Sequence, residues 1–226
     1  MTPNKQNPNQ QESITIGNII LFFSVFSLIF LVPLFPRESH KIFYNALYTI
    51  IFLTAVMALG KYRKELLILA IFLTVIEWLS SALDMIYLTG FSRVTHILFF
   101  IFVVIRLILQ AAGAKKVNLN VIMESINGYL LLGVVFSIMV AIITLFNPGA
   151  YNYPQGMDVT NQEISHFSDQ VYYGFVTFTT LGYGDIVPLK PYARSLAMLT
   201  SVSGQIYVAV IIAMLVGKYA SRDQTN

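Results

Sequence analysis

Thr179 to Pro188 reads TTLGYGDIVP. Two glycines flank a tyrosine, and an acid and a proline follow close behind. Long apolar runs lie on both sides, so a backbone-permissive segment is lodged between hydrophobic helices. Gly takes positive φ without a Cβ clash, and Gly182 and Gly184 alternate around Tyr183. Alternating backbone handedness of this kind lets successive carbonyls point the same way. The segment occurs once, and no period of about 20 to 50 residues repeats along the chain.

The surrounding composition sets the solvent. Of 226 residues 56% are hydrophobic and 11% charged, with a mean hydropathy of +0.69. A soluble domain keeps about a quarter of its residues charged, so this chain cannot cover itself with polar surface and reads as an integral membrane protein. It has no Cys, which excludes disulfides and thiolate metal sites. A net charge of +3, scattered along the chain, gives no basis for nucleic-acid binding. Residues 1–13 are polar and Asn/Gln-rich and are expected to be a disordered cytoplasmic tail. They lack the layout of a cleaved signal peptide, so the first helix is expected to be retained.

A bilayer core of about 30 Å needs about 20 apolar helical residues. Runs of that kind cover Ile16 to Leu34, Ile42 to Leu59, Leu66 to Leu88, Val94 to Ala112, Val121 to Phe146 and Tyr192 to Val216. Between the last two, Asn147 to His166 is turn-rich, and Phe167 to Thr180 is apolar but too short to cross. A half-length helix followed by glycines reads as a re-entrant loop, whose irregular backbone survives at membrane depth only inside protein or beside a wet cavity. With both termini on one side, eight Lys and Arg fall on that face, five on the other, and Arg106 lies within a span. This bias favours cytoplasmic termini.

Thr180, Leu181, Gly182 and Tyr183 can offer a column of four carbonyl oxygens, with the Thr180 hydroxyl as a lower layer. One column cannot surround an ion. Four chains around an axis can, replacing the water of a dehydrated cation. The stretch TTLGYGD resembles the potassium-channel signature, with Leu181 where the commoner form has Val. A bare Gly-Tyr-Gly is otherwise an ordinary turn. Here Thr-Thr ahead, Asp behind, a half-helix before and a glycine-bearing span after make the turn reading the weaker one.

The resemblance implies a filter at Thr180, Leu181, Gly182, Tyr183 and Gly184 that binds permeant potassium. It implies bracing by Asp185 with Tyr172, and by Tyr173 and Thr177 reaching the Tyr183 hydroxyl of the same or a neighbouring chain. Val176 stands where some bacterial channels carry Glu, and Val187 where some relatives carry the aromatic that binds external tetraethylammonium. Gly204, twenty residues after Gly184, has the spacing of the family's inner-helix hinge. Ser168 is a candidate N-cap for the half-helix, and Asp169 suits its positive end, although Asp169 reads equally as a charge on the outer mouth.

Six spans with the pore last is the plan of voltage-gated channels, yet the fourth run lacks their charge ladder. Its rows carry Arg93 with His96, and Arg106 alone. Glu77 and Asp84 sit seven residues apart on one face of the third run. Arg106 with Glu77, and Asp84 with Arg93 or His96, are the expected ties between helices, with a residual sensor or ligand pocket as the alternative. The stretch from Gly113 to Asn127 carries a polar stripe of Gly113, Lys116, Asn120, Glu124 and Asn127. It is either a helix on the inner membrane face or the interfacial start of the fifth span. His166 before the half-helix is an ordinary loop residue or an external proton sensor.

These readings converge on an all-α integral membrane fold: six transmembrane helices, a re-entrant pore helix and selectivity filter, assembled as a homotetramer. The expected division is 1–13 cytoplasmic tail, 14–116 a four-helix unit resembling a voltage sensor without its charges, 117–218 the pore, and 219–226 a short tail with no soluble ligand domain. The expected partners are identical chains and lipids in the plasma or inner cell membrane. The expected activity is passive potassium conduction with little voltage sensing, and no catalysis. The alternatives are a subunit of a potassium uptake transporter and a non-conducting auxiliary subunit.

Overall fold

The structure is a computed structural model that describes residues 16–59, 63–83, 86–114, 117–153 and 167–223. Seven α-helices occupy the described chain: α1 Ile16–Phe26, α2 Arg37–Ala58, α3 Arg63–Ala82, α4 Ile86–Gly113, α5 Leu119–Phe146, α6 Phe167–Phe178 and α7 Pro191–Asp223. A π turn over Ser27–Leu31 and a 3-10 turn over Val32–Leu34 extend α1 until Pro33 and Pro36 stop it. Three of these stretches are long and apolar enough to cross a membrane among the described residues: Ile16–Leu34, Leu119–Phe146 and Pro191–Lys218. The apolar parts of α2 and α4, Ala46–Ala58 and Ile97–Gly113, are shorter.

One expectation shifts, and one open choice is decided. The third apolar run does not continue to Leu88: α3 stops at Ala82, a turn takes Leu83, and α4 starts at Ile86. Ser80 and Ser81, in the last turn of α3, interrupt the apolar pattern just before the helix ends. The fifth helix begins at Leu119 with Asn118 as its cap, whose side chain accepts a 2.9 Å bond from the Val121 amide. Asn120, Glu124 and Asn127 of the polar stripe therefore lie on α5, the second of the two readings of this stretch, while Lys116 lies outside the described residues.

The stripe on that start faces protein. Asn18, Glu124 and Asn127 are buried. Asn18 Nδ2 donates to Asn120 Oδ1 at 2.9 Å, and Asn127 Nδ2 to the Asn18 carbonyl at 3.0 Å. Glu124 Oε1 accepts from Asn120 Nδ2 at 2.9 Å and from Gln110 Nε2 at 3.0 Å, and Gln110 also reaches the Ala58 carbonyl. Buried polar groups keep their place only when bonded, so this cluster pins α1, α2 and α4 against the start of α5. Above it one apolar core runs from Leu21 and Phe52 through Phe100 and Leu107 to Leu131 and Val171. The packing is continuous across the 116/117 boundary.

A second core lies beside the glycine segment. Phe136, Val140, Tyr151, Tyr173, Phe178 and Ile186 pack between α5, α6 and the chain that follows the filter stretch. Two short strands, β1 Tyr151–Asn152 and β2 Val187–Pro188, pair antiparallel with Tyr151 opposite Pro188. They tie the chain leaving α5 to the chain leaving the glycines.

Candidate functional site

The half-length helix α6 is held by close packing on both sides. At Gly133 a Cβ would come within 2.6 Å of the Phe175 ring, and at Gly174 it would strike the Ser137 side chain. Two small residues thus let α5 and α6 approach closely. Asp169 lies in the first turn of α6, where its charge suits the helix dipole. Ser168 is already the second residue of the helix, so the expected capping role does not fall to it. His166 lies outside the described residues.

The chain leaving α6 turns over in a ladder of backbone bonds. The Thr179 amide donates to Phe175 O at 2.9 Å and the Thr180 amide to Thr177 O at 3.0 Å. The Leu181 and Gly182 amides both donate to Val176 O, at 2.9 and 3.2 Å. The first residues of the segment are thereby anchored by main chain to the end of α6.

Beyond that anchor the backbone alternates. Thr180 has φ 61°, Gly182 φ 58° and Gly184 φ 80°, and Thr180 is the one non-Gly residue with positive φ in the described chain. For a β-branched residue this region is a genuine outlier, at a cost of about 1–2 kcal/mol. Strain of this kind persists only where the surroundings over-determine it. The glycines are legible in the sequence as left-handed positions. Thr180 is not, because nothing in its side chain favours that conformation.

Side chains brace the far end. Tyr172 Oη donates to Asp185 Oδ2 at 2.6 Å, and Asp185 Oδ1 accepts from the Ile186 amide at 3.0 Å. The Tyr172 hydroxyl holds the Asp185 carboxyl below its ordinary range, and the carboxylate raises the Tyr172 phenol to about 12. A depressed carboxylate contributes stability that is full above its unfolded value and lost only as pH falls through the lower folded one. The raised phenol stays a donor until pH climbs through its folded value. The clamp is therefore intact across pH 5 to 8, and acid inhibition within that window would have to arise elsewhere. Tyr172→Phe removes the donor and leaves the ring; amide hydrogen exchange at Gly184 to Ile186 is expected to quicken about fivefold.

Tyr173 is placed differently. It is buried and meets Tyr151 edge-on, ring centroids 5.1 Å apart. None of the hydrogen bonds among the described residues joins the Tyr183 hydroxyl to Tyr173 or Thr177 of its own chain. Tyr183 and Leu181 are 67% and 57% exposed, which leaves two large apolar side chains uncovered within one protomer.

The inner helix closes the site from below. α7 runs unbroken through Gly204, where a Cβ would collide with the Phe178 carbonyl oxygen at the end of α6. This glycine thus admits the end of α6. One residue on, Gln205 Nε2 donates to Thr180 Oγ1 at 3.2 Å. Gln205 carries little signal in the sequence, a lone amide beside the glycine at the start of an apolar run.

Among the intramembrane charges, Arg106 is half-buried and lines a cavity of about 230 Å³ with Leu59, Leu109 and Gln110. Asp84 and the side chains of Glu77, Arg93 and His96 lie outside the described residues, and with them both expected ion pairs. No group of His, Cys, Asp and Glu suited to a metal ion occurs among the described residues.

A half-length helix, an alternating segment and an inner helix packed beneath it form one local unit. Residues 129–220 match a family model described as an ion channel, and this match spans α5 from Tyr129, α6, the glycine segment and nearly all of α7. Less than half of the chain is covered, and the match supports an ion channel in a membrane. Comparisons with curated proteins and with solved structures give no significant match.

Proposed function

We propose that the chain is one subunit of a homotetrameric channel that passes potassium passively through the segment Thr180 to Gly184. The observation that carries this reading is the alternation of positive φ at Thr180, Gly182 and Gly184. Residues of opposite handedness in strict alternation can turn every carbonyl toward one axis. Four such ribbons then supply rings of carbonyl oxygens in place of a cation's water shell. The backbone bonds to Val176 and the Tyr172–Asp185 clamp keep each ribbon from relaxing. The α6 dipole adds partial negative charge at its C-terminal end, near where a cation would enter.

Fourfold assembly is supported by what one protomer leaves bare. Only 17% of the most apolar window of α7 is buried within the chain, against 50% for α5. Met198, Val202, Ile206 and Val210 are exposed with Leu181 and Tyr183. Lipid can cover the outer side of such a helix, but the segment beside it needs neighbouring chains. Tyr183 would find its hydroxyl partner there.

Passive conduction separates this reading from the transporter-subunit and auxiliary-subunit alternatives. Purified chain alone, placed in liposomes loaded with potassium, is expected to carry potassium and rubidium down either direction of gradient and to leave sodium behind. Silence without a second protein, or flux in one direction only, would overturn it.

Gating by voltage is expected to be shallow. α4 carries Arg106 alone in its membrane-embedded part, whereas steep sensors move about three to four charges per subunit at about 2.3 kcal/mol each per 100 mV. A conductance–voltage curve should report an effective charge of about four or fewer per tetramer. A value near twelve would reject this part of the account. Val187 at the outer mouth lacks an aromatic face, so external tetraethylammonium should block only above the millimolar range.

A further inference from the structure

Gln205 is the feature of the inner helix that conduction through the segment does not yet use. It introduces the run Ile206 to Val216, apolar but for the Tyr207 hydroxyl, which donates to the Ser125 carbonyl. A carboxamide at membrane depth needs partners, and this one, exposed within the protomer, finds Thr180. Its neighbour Gly204 lies against the Phe178 carbonyl, so position 205 is held beneath the first residues of the segment.

The bonds around it can be counted. Thr180 Oγ1 donates its own proton to Thr179 O at 2.6 Å and accepts from Gln205 Nε2 at 3.2 Å. A hydroxyl has one proton and two lone pairs, so one lone pair remains. Thr180 also carries the outlying φ of 61°, and a β-branched side chain has few χ1 choices. Gln205 Oε1 accepts no hydrogen bond among the described residues and is free to take one from the water around an ion.

We propose that Gln205 is a positioning residue for ion entry, fixing the Thr180 hydroxyl with its spare lone pair toward the ion path while its own carbonyl oxygen accepts a hydrogen bond from the water of an arriving monovalent cation. The inference rests on the tetrameric channel reading, in which four Gln205 side chains make a neutral polar ring just inside the filter. The ring holds no net charge, so it eases the loss of water without trapping the ion.

Block by internal barium, a doubly charged cation of about potassium's size, probes the innermost layer. The full chain is reconstituted in planar bilayers as wild type, Gln205→Leu, Thr180→Ala and the double variant, with Gln205→Met replacing Gln205→Leu should that variant fail to assemble as a tetramer. Removing the donor is expected to weaken internal barium block about tenfold when Thr180 is present. It should weaken block less than about twofold in the Thr180→Ala background, because the two residues act through one bond. The potassium-over-sodium permeability ratio should hold in Gln205→Leu, since the upper layers are untouched. Additive effects, or an unaltered block in Gln205→Leu, would overturn the role of Gln205 while leaving the channel reading in place. A wild-type protein that does not prefer potassium would overturn both.

Discussion

Gly182→Ala is expected to abolish potassium current while leaving a tetramer that still purifies. Gly182 sits at φ 58°, and no neighbouring atom lies within 4 Å of where a Cβ would stand in the protomer. Local space therefore does not forbid alanine, and the backbone does. An L-residue in this region costs about 1–2 kcal/mol, and fourfold repetition makes this about 4–8 kcal/mol per tetramer. A two-state equilibrium moves from 99:1 to 1:99 with about 5.5 kcal/mol. The substitution is thus large enough to empty the conducting state. D-Alanine introduced at 182 by semisynthesis shares the added methyl but favours positive φ, so it should restore most of the current. Equal loss with both enantiomers would show that the methyl, not the handedness, is what the filter rejects.

The second large effect is expected at Gly204. A hinge glycine and a packing glycine both disappear in Gly204→Ala, but they fail differently. The added Cβ meets a backbone carbonyl, Phe178 O, and not the far end of a flexible side chain. α7 must withdraw from the end of α6, and overpacking of this kind costs about 1–3 kcal/mol per chain. For a chain of this size the upper end corresponds to a melting temperature lower by roughly 6–12 °C. Size-exclusion chromatography of heated, detergent-solubilised protein should show early loss of the tetramer. A tetramer as stable as wild type with only its open probability changed would instead assign Gly204 to a bend.

These two glycines also mark how far the sequence can be read. Gly182 and Gly184 are informative because the residue type itself permits what the backbone does. Tyr172 and Asp185 follow from a resemblance and meet in space. Gly204 is found by its spacing from Gly184, yet spacing is silent on whether a glycine bends a helix or admits a neighbour. The Phe178 carbonyl beside it shows that this one admits a neighbour.

Other features were hidden for physical reasons. Asn120, Glu124 and Asn127 form a polar stripe, and a stripe faces water, headgroups or other polar groups with the same periodicity. Here Asn18 and Gln110, distant in sequence, cover it. Thr180 gives no warning of its left-handed conformation because the turn anchored on Val176 imposes it from outside. The break between α3 and α4 falls inside an apolar run, where hydropathy averaged over a window does not register one turn.

The central claim is that alternating main-chain handedness builds a sleeve sized for one cation. Reversal potential under bi-ionic conditions, potassium on one side of a bilayer and sodium on the other, reads it directly. The expected shift is at least about 59 mV toward the potassium equilibrium, a tenfold or greater preference. A reversal near zero, with sodium carrying comparable current, would contradict it.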